Sequence, residues 1–190
     1  AACRVAEKRV KEMCDRFGVD TYVSATQAAL DRNLRAVSGL IQQAIGVEPV
    51  SFEDYIDDDG RGYGPYKIKC TMWREGKKVI LDWEGTDPQA VGSINFYLNE
   101  NMLKMFWGVY MIMVFDPEIL FNDGFYDLVD VRIPQGTLLK PNFPAALSCR
   151  THALGRIFDT FAALLGQKNP DFLAAAGFSS SPHFMYSGTD

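Results

Sequence analysis

The chain has 190 residues, 47% of them hydrophobic, with 19 basic against 24 acidic residues and a formal net charge of -5. That much apolar material can bury one substantial core, which excludes a disordered chain. An acidic balance with no basic run excludes a phosphate backbone as partner, so no nucleic-acid role is expected.

Cys3, Cys14, Cys70 and Cys149 are too dispersed for a CxxC metal pair or a disulfide framework, and fit reduced thiols in a cytoplasmic protein. Ala1-Ala2-Cys3-Arg4-Val5 at the start and Ser187-Gly188-Thr189-Asp190 at the end read as internal stretches of a longer polypeptide. The early charges Arg4, Glu7, Lys8 and Arg9 exclude a signal-peptide core.

Residues 1–48 read as a helical hairpin. Val5, Val10, Met13 and Phe17 keep roughly helical spacing up to Gly18, a residue suited to a helix C-terminus. Leu30, Leu34, Val37, Ile41 and Ile45 define a second helix, with Ser24 or Thr26 as its cap and Gly46 as its end before Pro49. The acids and glycines of residues 52–65 predict a loop. A calcium loop would need a Glu six residues after Gly60, where Tyr66 stands, so this loop is read as structural or solvated.

Residues 49–190 read as a mixed α/β segment. Tyr66, Ile68, Cys70 and Met72 alternate with Lys67, Lys69 and Thr71, and Val79, Leu81 and Trp83 resume the alternation after a Gly76-containing turn, which predicts an antiparallel hairpin. Gly85 and Pro88 then force a turn that gathers Asp82, Thr86, Asp87 and Gln89 at a strand end. Residues 102–115 carry Lys104 as their only charge. This run is shorter than the about 18 apolar residues a membrane span needs, so no membrane role is expected, and a buried apolar helix is. Its Met102, Met105, Met111 and Met113 fit a core or a substrate wall. Asn95, Asn99, Glu100 and Asn101 are placed to cap it. Residues 125–133 predict another strand, followed by a turn at Pro134-Gln135-Gly136.

Pro141 and Pro144 make a stiff approach to a last helix carrying Leu154, Ile157, Phe158, Phe161, Leu164 and Leu165 on one face. Ser148 or the Pro144 turn is read as its start, which puts Arg150, Thr151 and His152 near the first turn, where the helix dipole favours anions. His152 has Arg156 rather than a second ligand four residues on, so no metal set is assigned. Cys149 and His152, three apart on one helix, are poorly placed for a nucleophile and its base. The fold class is α+β: a helical hairpin, an antiparallel β-hairpin with further mixed strands, and a buried apolar helix.

Three motifs in order, Leu81-Asp82-Trp83-Glu84-Gly85-Thr86-Asp87-Pro88-Gln89, then Gly92-Ser93-Ile94-Asn95, then residues 134–146 with Arg150-Thr151-His152, resemble the hydantoinase B/oxoprolinase family. The Met-rich run, Asn122-Asp123-Gly124-Phe125-Tyr126 and the closing stretch 179–188 with His183 are most similar to the acetone carboxylase alpha-subunit branch. The resemblance implies a segment of an ATP-dependent ketone carboxylase subunit. Such an enzyme phosphorylates acetone and joins the enolate-type carbon to bicarbonate-derived carbon dioxide, giving acetoacetate, inside a hetero-oligomer that uses manganese and ATP. The family's metal motif has no counterpart here, so manganese is assigned to no residue of this segment. Asp87, Asn95, Arg150 and His152 are the candidate catalytic positions. The alternatives are an ATP-dependent cyclic amide hydrolase of the hydantoinase/oxoprolinase type, or a structural and assembly module in which these residues organise turns and caps.

Overall fold

Alternation and turn chemistry produce the hairpin at the centre of the molecule, seen in a computed structural model that describes residues 2–173 and 175. Strand β2 (Tyr66–Glu75) turns through Gly76, at φ 59°, into β3 (Lys78–Asp82). Ile68, Cys70 and Met72 are buried as their spacing predicts. The full sheet has the order β1-β2-β3-β4, with β1 (Val50–Ile56) and β3 antiparallel to β2, and β4 (Val129–Arg132) parallel to β3. The chain is thus α+β with a mixed sheet.

Strand β1 corrects the reading of residues 52–65 as loop throughout. Phe52, Asp54 and Ile56 point inward while Ser51, Glu53 and Tyr55 face solvent. The ladder to β2 and an ion pair between Asp54 and Arg156 at 2.9 Å overcome the weak strand preference of two adjacent acids. Only residues 57–65 form the loop. The strand expected over 125–133 is also shorter, because Asp123–Leu128 is a 3₁₀ helix. Asn122 caps it by accepting from the Gly124 N–H at 2.9 Å.

Helices α1 (Ala2–Phe17) and α2 (Val19–Ala44) join through Gly18 alone, at φ 87°. Ser24 and Thr26 therefore lie inside α2 rather than at its start, and the Thr26 hydroxyl donates back to the Tyr22 carbonyl at 2.9 Å. Helix α1 buries no side chain, whereas α2 sends Val37, Ile41 and Ala44 into the core. Helix α3 (Glu100–Phe115) is the apolar run, capped by Asn99, which accepts from the Met102 N–H at 2.7 Å. Leu103, Trp107, Gly108, Met111 and Ile112 of α3 are buried, so its apolar character serves packing. Helix α4 (Thr151–Lys168) lies across β1 and β2 and touches α3, with Phe161 edge-on to the buried Trp83 at 6.0 Å. Among the described residues no helix is long and apolar enough to cross a membrane.

Candidate functional site

The three sequence motifs come together where the segment after β3 runs beside residues 134–149. Backbone bonds stitch the two: Leu138 N–H to Asp87 O at 3.0 Å, Gln89 N–H to Gly136 O at 2.9 Å, Phe96 N–H to Leu138 O at 2.9 Å and Leu98 N–H to Leu139 O at 3.0 Å. The turn at Gly136, φ 85°, lets this antiparallel track fold back on itself.

Side chains from the first motif lock the track to β2. The Asp87 carboxylate accepts from the Lys67 N–H at 2.7 Å, while its own N–H donates to the Lys67 carbonyl at 3.0 Å. Thr86 uses its hydroxyl to accept from Lys69 N–H at 3.2 Å and donate to Lys69 O at 3.1 Å. The two side chains therefore extend the hairpin ladder past its last strand residue. Gln89 reaches the other way, accepting from the Asn142 N–H at 2.7 Å.

Asn95 is fully buried, and its carboxamide is spent on backbone. Its oxygen accepts from Ala90 N–H at 2.8 Å, and its two N–H groups are shared among Ala90 O at 2.9 Å, Gly92 O at 3.2 Å and Ala146 O at 3.1 Å. It fastens the 90–95 turn to the approach of α4, while the helix-capping role falls to Asn99.

One step further, Ser93 O accepts the Cys149 N–H at 2.7 Å, and Cys149 O accepts the His152 N–H at 3.2 Å. This relay holds the first turn of α4. Arg150 is the residue before the helix, exposed, and its own side chain makes no capping hydrogen bond. His152 is half-buried one turn in. A helix N-terminus beside an exposed guanidinium makes an electropositive lip. The loops carrying it expose Val91, Tyr97, Phe143 and Leu147, with Phe143 at 99%. The helix begins at Thr151 rather than at Ser148 or Pro144, because residues 148–150 form the turn that the relay pins.

Of the four candidate positions, Asn95 is buried in the scaffold, Asp87 is half-buried and bonded to β2, and Arg150 and His152 lie at the start of α4. His183 and the stretch 179–188 lie outside the described residues. Sequence reasoning passed over Asp59, which is 3% exposed in a loop read as solvated. Burial alone would raise its carboxyl, but N–H donors from Arg61, Gly92 and Tyr63 and the Tyr66 hydroxyl outweigh that and hold it below the usual aspartate value. The Asp-Gly pair at 59–60 was the available signal, since such an Asp commonly bonds the backbone two residues on. Among the described residues no three His, Cys, Asp or Glu side chains gather so as to hold a metal ion, so no step is derived through manganese.

The hydantoinase B/oxoprolinase model matches residues 1–190. The chain belongs to this family. Caprolactamase subunit beta of Pseudomonas jessenii is 27% identical over 180 residues, which is 92% of this chain and 30% of that subunit. The crystal structure of the ATP-dependent caprolactamase from the same organism superposes with a TM-score of 0.77 at 26% identity, over 90% of this chain and 29% of the other. A 5-oxoprolinase of Pestalotiopsis fici is 28% identical over 151 residues, 78% of this chain and 11% of that enzyme. The nucleotide-free structure of an acetone carboxylase shares the fold, with a TM-score of 0.76 at 18% identity over 87% of this chain and 23% of the other. The chain thus spans about 30% or less of the length of the curated relatives and solved structures it matches.

Proposed function

We propose that this hydantoinase B/oxoprolinase chain serves an ATP-dependent enzyme that opens a cyclic amide. The observation carrying this reading is family membership along the whole chain together with the 26–28% identity to a caprolactamase and a 5-oxoprolinase. An amide C–N bond is stabilised by resonance, so water attacks it slowly. Transfer of the γ-phosphoryl group of ATP to the amide oxygen, releasing ADP, removes that resonance. Water then adds to the carbon, the C–N bond breaks to give an amine and an acyl phosphate, and a second water releases inorganic phosphate and leaves the carboxylate. In this scheme Arg150 and the α4 N-terminus hold the developing phosphate or carboxylate, and His152 takes a proton from the attacking water. Asp87 and Asn95 act by fixing the shape of the lip.

Carboxylation of a small ketone such as acetone, with bicarbonate and ATP, is the second reading, favoured by the likeness of fold to an acetone carboxylase. It uses the same first step, phosphorylation of a carbonyl-derived oxygen. The Met-rich run gives it no added weight, since Met111 is spent in the core and Met113 lies exposed on the surface. In either reading the chain works with partner subunits, as the name of the caprolactamase subunit suggests. Arg150→Ala and His152→Ala in the assembled enzyme test the site. Turnover lost with the complex intact supports a lip that faces substrate, while loss of assembly with no separate loss of turnover assigns these residues to an assembly module.

A further inference from the structure

We infer that Asp59 is a positioning residue that sets the α4 lip through Gly92, Ser93 and Cys149. The inference rests on the reading of Arg150 and His152 as substrate-facing groups. The geometry is a continuous path of short polar contacts. One Asp59 oxygen accepts from Arg61 N–H at 2.9 Å and Tyr63 N–H at 3.2 Å, tying down its own loop. The other accepts from Gly92 N–H at 2.8 Å and from the Tyr66 hydroxyl at 3.3 Å. The next residue, Ser93, is the one whose carbonyl takes the Cys149 N–H at 2.7 Å, and Cys149 O in turn takes His152 N–H at 3.2 Å. The Ser93 hydroxyl also lies 3.8 Å from the Cys149 sulfur.

Close approach at the start of this path needs a glycine. A Cβ built on Gly92 would collide with the Asp59 carbonyl oxygen and lie 2.8 Å from the Asp59 Cβ and Cγ. A buried, ionised carboxylate that spends one oxygen on a turn of a different loop is more than its own loop requires. Arg61 and Tyr63 alone would close the 57–65 turn. The second oxygen joins that turn to the segment carrying Ser93 and Asn95, and through them to α4.

Asp59→Asn separates the two halves. A carboxamide offers a single acceptor oxygen. Turned toward Arg61 and Tyr63 it leaves the Gly92 N–H facing an NH₂ group, while the Tyr66 hydroxyl can rotate to accept from that group, whereas the opposite orientation leaves two N–H groups opposed. The first orientation costs less, so the variant keeps its loop and releases Gly92. In the full-length protein with its partner subunits, kcat is expected to fall about tenfold with KM nearly unchanged, the signature of a misplaced group rather than of lost binding. Alkylation of Cys149 by iodoacetamide, followed by mass spectrometry, should speed up several-fold while buried Cys70 stays protected and exposed Cys3 reacts as before. Unchanged Cys149 reactivity, whatever happens to kcat, overturns the inference. Should the variant expose Cys70, hydrogen exchange on the wild-type protein decides. Gly92 and Cys149 amides exchanging in one opening event support the path, and separate openings overturn it. If the wild-type enzyme opens no cyclic amide, the functional reading fails, and the labelling and exchange results still judge the path.

Discussion

Replacing Asn95 distinguishes a scaffold clamp from a catalytic group. Asn95→Ala strands the Ala90 N–H and the carbonyls of Ala90, Gly92 and Ala146, all served by one fully buried side chain. A buried hydrogen bond contributes about 1 kcal/mol net, and an abandoned buried partner costs about as much again before water or local relaxation recovers part of it. With one accepted bond and two N–H donors shared among three carbonyls, three bonds at about 1 kcal/mol each set the loss at about 3 kcal/mol or more, read as a lower urea midpoint of the purified protein. Asn95→Asp adds a sign. The introduced carboxyl would face three carbonyl oxygens at 2.9 to 3.2 Å, so its folded-state pKa is raised above the unfolded value of about 4. A raised pKa gives stability that is fully present below the unfolded pKa and is lost as pH rises toward the folded one, at up to about 1.4 kcal/mol per pH unit. Asn95→Asp should therefore come closest to wild type near pH 4 and fall away above it, while Asn95→Ala stays uniformly destabilised. A loss under about 0.5 kcal/mol for Asn95→Ala, or a pH-independent Asn95→Asp, would refute the clamp. Full stability with abolished turnover would move Asn95 into the chemistry.

Asp59 is lowered in pKa, so its contacts to Gly92 and Tyr66 hold at neutral pH and are lost only as the pH falls below the ordinary aspartate range of about 4. Gly92 amide protection, corrected for the intrinsic pH dependence of exchange, should therefore persist at neutral pH and be lost on acidification below that range. Gly108→Ala drives a methyl into Cζ of the buried Phe125 ring, with Cε1 and Cε2 at 2.7 and 2.8 Å, and should destabilise by about 3 kcal/mol or more in urea unfolding. Burial pushes the Cys70 thiol well up, so under native conditions at neutral pH Cys70 should resist alkylation that labels Cys3 promptly.

The hairpin of β2 and β3 was legible because alternation and turn residues agree, and α3 because an apolar run of that length has few other uses. Strand β1 was hidden because Asp54 faces inward yet reads as a surface acid. Its partner, Arg156, is 102 residues away in the sequence. The early end of the expected 125–133 strand has a similar cause, since Gly124 packs against the Leu30 backbone and holds that stretch as a 3₁₀ helix. Within the site, the motifs marked the right stretches but not the division of labour. Asp87 and Asn95 carry chemically versatile groups, and only the three-dimensional track shows backbone engaging the whole Asn95 carboxamide and one oxygen of the half-buried Asp87 carboxylate. Asp59 escaped notice because its burial depends on a glycine 33 residues later.

The central claim is that this family member serves ATP-driven opening of a cyclic amide. It is tested most directly by incubating the full-length enzyme and its partner subunits with five-, six- and seven-membered cyclic amides, with and without ATP, and following amino acid and ADP together. Ring opening should require ATP and release ADP in step with product. Absence of ring opening, with labelled bicarbonate instead fixed into acid-stable product in the presence of acetone and ATP, would contradict it and establish the carboxylase reading.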